Sequence, residues 1–105
     1  MWIRSQDKRC LIDCNNFSIE SYDNCDFDIN TTEAVTGTYT TLGSYSSEVK
    51  AIKVLDEIQE MIIGKKKSYY TTSGYVKQLV KNEYYENTSN MVYQMPQDSE
   101  VEAND

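Results

Sequence analysis

The side chains that could do chemistry in this chain are carboxylates and cysteines, because the sequence contains no histidine. Histidine is the usual general base near neutral pH, so its absence excludes Ser-His-Asp and Cys-His catalytic arrangements. A glycine-rich phosphate-binding loop is also missing, since the four glycines stand apart from one another. The 17 acidic residues form many pairs, and no spacing selects one pair for acid–base work. We therefore predict that the chain is not an enzyme.

Two short stretches contain metal-ligating residue types at close spacing. Cys10 and Cys14 form a C-x3-C pair and Cys25 follows, but a structural zinc site normally takes four ligands from two such pairs. The aspartates of "DNCDFD" resemble a calcium loop, but the turn glycine and the closing glutamate are missing. We favour free thiols and a solvated acidic loop over the two metal sites. The sequence predicts no metal and no cofactor.

The strongest periodic pattern predicts an amphipathic helix at about 47–63. Serines able to cap a helix precede it, and Gly64 follows it. Its apolar stripe consists of Ala51, Ile52, Leu55, Ile58 and Ile62, widened by Val54 and Met61. A second short helix is predicted at about 75–86, with a strand as the alternative because of its tyrosines.

Other stretches alternate in polarity or are rich in β-branched residues, which predicts strands. Residues 2–6 and 10–14 form a hairpin, with Trp2 and Ile3 on opposite faces of its first strand. "FSIESYD", "AVTGTYTTLG" and "NMVYQMP" are three further strands, the last expected beside the first strand, while "DNCDFDINTTE" is predicted to be mainly loop. The order indicates an α+β protein with a small, mostly antiparallel sheet and the long helix packed on one face. We predict one domain at 1–97 and an acidic flexible tail at 98–105.

The net charge of −7 narrows the class of partner. An acidic chain is unsuited to bind nucleic acid directly or to bind an anionic membrane surface. No stretch reaches the roughly 18 apolar residues that span a bilayer, and the start lacks the apolar segment of a secretory leader. An odd number of cysteines fits a reducing compartment, so we expect a cytoplasmic protein.

Three stretches resemble a group of small accessory proteins from phages and prophages of Gram-positive bacteria. They are "MWIRSQDK", "LGSYSSEVKAIKVLDEIQ" and "YQMPQDSEVE". Proteins of that group begin with W-I-R-S-Q, carry L-G-x-Y-[ST] at a strand-to-helix turn and close on Q-M-P. The resemblance leaves out the stretches 21–33 and 64–90, and the group has no catalytic motif to transfer. It implies a phage accessory protein acting in the host cytoplasm. Small acidic proteins of that origin include inhibitors of bacterial defence, anti-CRISPR proteins among them.

The leading hypothesis is an inhibitor that binds the positively charged nucleic-acid channel of a host defence nuclease or its RNA-guided complex. Carboxylates would replace phosphates there, and tyrosines would supply contact area. The candidate partner-binding residues are Glu20, Tyr22, Asp23, Asp26, Asp28, Glu83, Tyr84, Tyr85 and Glu86.

Two alternatives remain open. One is a protein that sequesters a small nucleotide signal, with Arg4, Arg9 and the lysines at 65–67 as phosphate ligands. The other is a self-associating phage accessory or structural protein, because the helix stripe is wider than a small sheet covers.

Overall fold

The computed structural model describes residues 1–73, 78–86 and 91–102; within 65–73 and 78–86 it describes the backbone pairing and the side chains of Lys81 and Glu83. The elements in chain order are β1 (Trp2–Arg4), β2 (Leu11–Asp13), β3 (Ser18–Glu20), β4 (Phe27–Thr32), β5 (Tyr39–Tyr45), α1 (Glu48–Ile63), β6 (Lys65–Ser73), β7 (Gln78–Glu86), β8 (Val92–Gln94) and a 3₁₀ helix (Asp98–Glu100). The predicted α+β class is confirmed. No helix in these ranges is long and apolar enough to cross a membrane.

The strands form two three-stranded sheets and a separate two-stranded hairpin. In the first sheet, β1 lies between β2, to which it is antiparallel, and β8, to which it is parallel. In the second sheet, β4 lies between β3 and β5 and is antiparallel to both. Strands β6 and β7 pair with each other. The structure confirms the predicted hairpin at 2–6 and 10–14 and the predicted pairing of the first strand with the last.

Of the two possibilities at about 75–86, the strand is confirmed and the short helix is wrong, because residues 78–86 form β7 in register with β6, while 75–77 lie outside the described residues. The stretch "DNCDFDINTTE" is not mainly loop, because it contains β4, the central strand of the second sheet. Phe27, Ile29 and Thr31 alternate along β4 and are partly or fully buried, as a strand with one face on the core requires.

Helix α1 has the predicted caps. The Ser47 hydroxyl accepts a hydrogen bond from the Lys50 amide at 3.2 Å, which satisfies one free amide of the first turn. At the other end Gly64 has a φ of 88°, and its amide donates to the Glu60 carbonyl at 2.9 Å. Glycine suits that position because side chains disfavour a positive φ. The predicted bounds of about 47–63 are therefore confirmed.

The buried stripe of α1 is rotated relative to the predicted one. Ala51, Val54 and Ile58 are buried, whereas Ile52 and Ile62 are exposed. The three buried residues share one core cluster with residues from both sheets, namely Ile3, Cys14, Ile29, Leu42, Tyr45 and Met95. The helix thus covers the inner face of the sheets with a narrower stripe than the sequence pattern indicated.

Gln6 joins the start, the middle and the end of the chain. Its side-chain amide donates to the carbonyl oxygens of Ser44 and Pro96, both at 3.1 Å, and its side-chain oxygen accepts from the Ser44 amide at 2.9 Å. The buried Tyr45 hydroxyl donates to the same Pro96 carbonyl at 2.9 Å. These residues lie in W-I-R-S-Q, L-G-S-Y and Q-M-P, so the motifs that carry the phage resemblance meet in space and connect the two sheets.

Asp98, the first residue of the predicted tail, is bound to the start of α1. Its carboxylate accepts hydrogen bonds from the Ser46 amide at 2.8 Å, from the Ser46 hydroxyl and from the Lys50 ammonium group at 3.2 Å. The bonds from Ser46 and Lys50 hold the pKa of Asp98 below its ordinary value. Contacts of the fold therefore extend past residue 97; residues 103–105 lie outside the described ranges.

Gly43 on β5 leaves little room for a side chain, because a Cβ there would require its neighbours to shift by a few tenths of an ångström. A Cβ there would lie 3.1 Å from the Tyr45 hydroxyl oxygen and 3.2 Å from the Met95 methyl carbon. Because Tyr45 is buried and its hydroxyl is bonded to Pro96, we expect Gly43→Ala to lower the free energy of unfolding by about 1–2 kcal/mol. Urea unfolding measures this, with Thr41→Ala, an exposed change on the same strand, as the control. Equal stability of Gly43→Ala and the parent protein would contradict the prediction.

Candidate functional site: the acidic face of the second sheet

The hairpin formed by β3 and β4 brings together the predicted residues from the first part of the chain. Glu20 ends β3, Asp28 lies on β4, and Tyr22, Asp23 and Asp26 belong to the turn that joins the two strands. No lysine or arginine occurs between Arg9 and Lys50, so the hairpin carries carboxylates and no cations of its own. The result is a locally negative surface on a chain that is already acidic.

Glu20 and Asp28 lie directly opposite each other across β3 and β4. Two like charges at such a position destabilise a strand pair rather than stabilise it. Asp28 is half-buried and, within the described part of the chain, forms no hydrogen bond or ion pair that would offset this repulsion. A cation supplied from outside the chain would relieve it.

Glu20 is the centre of a hydrogen-bond cluster. One carboxylate oxygen accepts from the Ser18 hydroxyl at 3.3 Å, and the other accepts from the Tyr22 hydroxyl at 3.4 Å and from the Asn30 side-chain amide at 3.2 Å. These donors hold the carboxylate in place on the sheet surface. A fixed carboxylate loses little side-chain freedom when it binds a partner.

Asn30 is buried on the face that should be solvated. Strand alternation places it with Asp28 and opposite Ser18, on the face away from buried Ile29, yet it is 0% exposed. Its side-chain nitrogen donates to Glu20, but its buried side-chain oxygen has no hydrogen-bond partner in the part of the chain that the structure describes. Buried oxygens of this kind are rare in native proteins, and each one costs stability. The same face therefore carries a second local defect beside the Glu20–Asp28 pair.

Two tyrosines complete this face. Tyr22 is 77% exposed and Tyr39, at the start of β5, is 55% exposed. The hydrogen bond and charge of the Tyr39 hydroxyl, followed by the negative charge of Glu20, raise the pKa of Tyr22 above its ordinary value. Exposed tyrosines beside carboxylates provide both π faces and negative charge for a cation. We refer to Glu20, Tyr22, Asp26, Asp28 and Tyr39 as the acidic face.

Sequence reasoning missed Tyr39 and Asn30. Tyr39 lies in the stretch "TGTYTT", which indicated a strand but not the strand that pairs with β4. The only pattern that could have indicated them is the frequent tyrosine, threonine and asparagine in two neighbouring predicted strands. Tyr39 and Asn30 come near Glu20 through the pairing of β3, β4 and β5, and the residues of a single strand do not specify that pairing.

Asp23 has a structural role in the turn. Its carboxylate accepts hydrogen bonds from the backbone amides of Cys25 at 2.9 Å and Asp26 at 3.1 Å, and these bonds lower the pKa of Asp23. Aspartate commonly stabilises a turn in this way. Asp26 is exposed, so its carboxylate can meet a partner without cost to the turn. Within the turn, Asp26 is the residue better suited to binding.

The other predicted segment, 83–86, lies on a different hairpin. Strand register places Glu83 opposite Ser68, and Tyr84, Tyr85 and Glu86 opposite the lysines at 67, 66 and 65. The exposed Glu83 carboxylate lies 3.2 Å from the Lys81 ammonium group. The side chains of Tyr84, Tyr85 and Glu86 lie outside the described set. This segment therefore pairs with a strand segment that contains lysines, and it belongs to a sheet separate from the acidic face.

The residue types expected at metal sites do not converge. Within the described residues, no group of three or more cysteine, aspartate or glutamate side chains is placed to hold a metal ion. Cys10 and Cys25 are exposed free thiols, whereas Cys14 is buried, and its burial raises the pKa of its thiol. The acidic face is therefore described by its carboxylates and tyrosines alone.

Comparison of the chain with protein-family models, with curated proteins and with solved structures finds no match. The phage resemblance therefore stays an expectation drawn from the sequence.

Proposed function

We propose that this chain is a binding protein, not an enzyme, and that its acidic face docks on a cationic surface of a partner protein. The observation that carries the proposal is the Glu20–Asp28 pair, two carboxylates opposed across neighbouring strands with Asp28 unpaired among the described residues. Proteins keep such locally unfavourable pairs mainly where a ligand or partner offsets them. The two exposed tyrosines add contact area that costs little conformational entropy.

The partner that fits this face best presents arginine side chains. A guanidinium group donates hydrogen bonds in a planar fork to carboxylates and stacks on aromatic rings. Glu20 and Asp28 offer the carboxylates, and Tyr22 and Tyr39 offer the rings. The nucleic-acid channel of an RNA-guided defence nuclease is lined with such cations, so we propose inhibition of a host defence nuclease in the phage-encoded, anti-CRISPR-like manner that the sequence resemblance implies.

The proposal is tested by adding the purified protein to a panel of purified RNA-guided nuclease complexes and measuring both binding and DNA cleavage. We expect at least one complex to be bound and inhibited. We also expect affinity to fall by about tenfold or more as salt rises from about 0.05 M to about 0.3 M. Nucleic acid should compete with the protein. Failure to bind any complex at any salt concentration would remove this function.

The double charge reversal Asp26→Lys with Asp28→Lys tests the face itself. We expect it to weaken binding about 100-fold, because attraction becomes repulsion at the centre of the contact. The matched control is Asp56→Lys with Glu60→Lys, which reverses two exposed charges on α1 and should change affinity less than about threefold. Unchanged inhibition by a folded Asp26/Asp28 variant would assign binding to another surface.

A further inference from the structure

A cleft of opposite charge lies at the other sheet. Arg4 and Arg9 are the only arginines in the chain, and both line a cavity of about 450 Å³ at the turn between β1 and β2. The remaining lining residues are Lys8, Cys10, Leu11 and Val92. Among the residues that the structure describes, three cations and no carboxylate thus border one cleft in a chain with a net charge of −7.

The turn holds its one carboxylate away from the cleft. Asp7 accepts hydrogen bonds from the Ser5 hydroxyl at 2.5 Å and from the Arg9 amide at 3.0 Å, and it does not line the cavity. Lys8 has a φ of 67°, a left-handed conformation, and its carbonyl accepts from the Arg4 Nε at 3.2 Å. Within the described residues, Arg4, Lys8 and Arg9 form no ion pair. The two terminal nitrogens of Arg4 thus remain available to a ligand.

Apolar side chains continue the cleft along the outer face of the first sheet. Leu11 and Val92 are each more than half exposed, and Val92 is in register with Trp2. Trp2 is the only tryptophan and is 45% exposed. It lies two residues from Arg4 on the same side of β1, which is about 7 Å along a strand. Cations and an exposed aromatic ring therefore occur side by side on one surface.

We propose that this cleft binds a nucleoside phosphate, with the phosphates on Arg4, Lys8 and Arg9 and the base against Trp2. Arginine pairs with phosphate through two parallel hydrogen bonds, and an indole ring stacks on any nucleobase. A cavity of this volume falls within the range of small-ligand sites. A long single strand of nucleic acid fits less well, because it needs a cationic track that extends beyond one cleft. This inference does not depend on the acidic face or on its partner.

Trp2 makes the test direct, because its fluorescence reports on this surface alone. The intact protein is titrated with ADP, and in separate arms with adenosine and with inorganic pyrophosphate. We expect ADP to change the Trp2 emission and to bind about tenfold or more tightly than either fragment. Arg9→Gln and Arg4→Gln should each weaken ADP binding about tenfold, whereas Arg9→Lys should keep part of it. Lys81→Gln, which removes an exposed cation on β7, is the matched control and should leave ADP binding unchanged.

Three outcomes would overturn the inference. The first is the absence of ADP binding by fluorescence and by calorimetry. The second is ADP binding that Arg9→Gln and Lys81→Gln weaken equally, since the effect would then be one of overall charge. The third is binding of an oligothymidylate without binding of ADP, which would assign the surface to single-stranded nucleic acid. Circular dichroism and thermal unfolding of each variant establish that it is folded.

Discussion

Replacing Ile58 by alanine is expected to lower the free energy of unfolding by about 3 kcal/mol, whereas Ile52→Ala should lower it by less than about 1 kcal/mol. Ile58 is 1% exposed in the core cluster, and Ile52, on the other side of the same helix, is 44% exposed. Because both changes introduce alanine inside α1, the gain in helix propensity is the same and cancels in the comparison. For a chain of this size, 3 kcal/mol lowers the unfolding midpoint by about 15 °C.

Urea unfolding of the two variants side by side measures the difference. Equal losses of stability would mean that Ile52 is covered in solution, and the protein concentration would then decide the cause. If self-association covers Ile52, the stability of the parent protein should rise with concentration, as the alternative of a self-associating accessory protein requires.

Replacing Asn30 by aspartate is expected to reverse how stability changes with pH. The new carboxylate would be buried, and it would lie within hydrogen-bond distance of the Glu20 carboxylate. Burial and the neighbouring negative charge both raise the pKa of the new carboxyl group in the folded state. A carboxyl group whose pKa is raised by folding is neutral and tolerated below its unfolded pKa, near 3.9, and destabilises the fold as pH rises from there. We therefore expect Asn30→Asp to leave the free energy of unfolding almost unchanged at about pH 4 and to lower it by about 3 kcal/mol at pH 7.

In the acidic range, the stability of the parent protein should instead rise as pH rises. Folding lowers the pKa values of Asp98 and Asp23, so the stability these carboxylates contribute is present above about pH 4 and is lost as pH falls through their folded values. Asn24→Asp is the control for Asn30→Asp, because Asn24 is exposed and the same change there should cost less than about 0.5 kcal/mol. If Asn30→Asp lowered the free energy of unfolding equally at all pH values, the new carboxyl group would have an unshifted pKa, and residue 30 would then be in contact with water.

The elements that the sequence predicts correctly are those whose determining residues all lie within or next to the element itself. The helix at 48–63 has its caps, its periodicity and its terminating glycine within one stretch, and the hairpin of β1 and β2 has its polar turn between two short strands. By contrast, the sequence around β4 predicts a loop, because aspartate and asparagine favour turns when they are considered without their strand partners. Pairing on both sides overrides that local preference, and pairing is not visible in one segment.

The candidate site was predicted only as far as neighbouring residues specify it. Glu20 and Asp28 are predicted from sequence because they belong to one acidic stretch, whereas Tyr39 and Asn30 join them through the register of three strands. The segment 83–86 has similar composition but pairs with the lysines at 65–67, so similarity of composition did not bring it to the same surface. Composition indicates a kind of surface, and strand pairing decides which residues form it.

The motifs that carry the phage resemblance explain the fold more than the function. Gln6 forms hydrogen bonds with both Ser44 and Pro96 at the junction of the two sheets, whereas the acidic face lies mainly in the stretch 20–39. Proteins that shared only these motifs would share the scaffold and could differ in what they bind. Function should therefore be sought in the β3–β4 hairpin and its neighbour β5.

The parallel pairing of β1 with β8 has a consequence for synthesis on the ribosome. Trp2 pairs with Val92, so β1 leaves the ribosome well before β8, the strand that completes its sheet. At 5–20 residues per second, the interval between the end of β2 and the arrival of β8 is roughly 4–16 s. During that time one edge of β1 has no strand partner and can pair with another nascent chain. Expression at low temperature or from a slow promoter should therefore change the yield of folded protein. The change should be larger than the stability of the finished protein would lead one to expect.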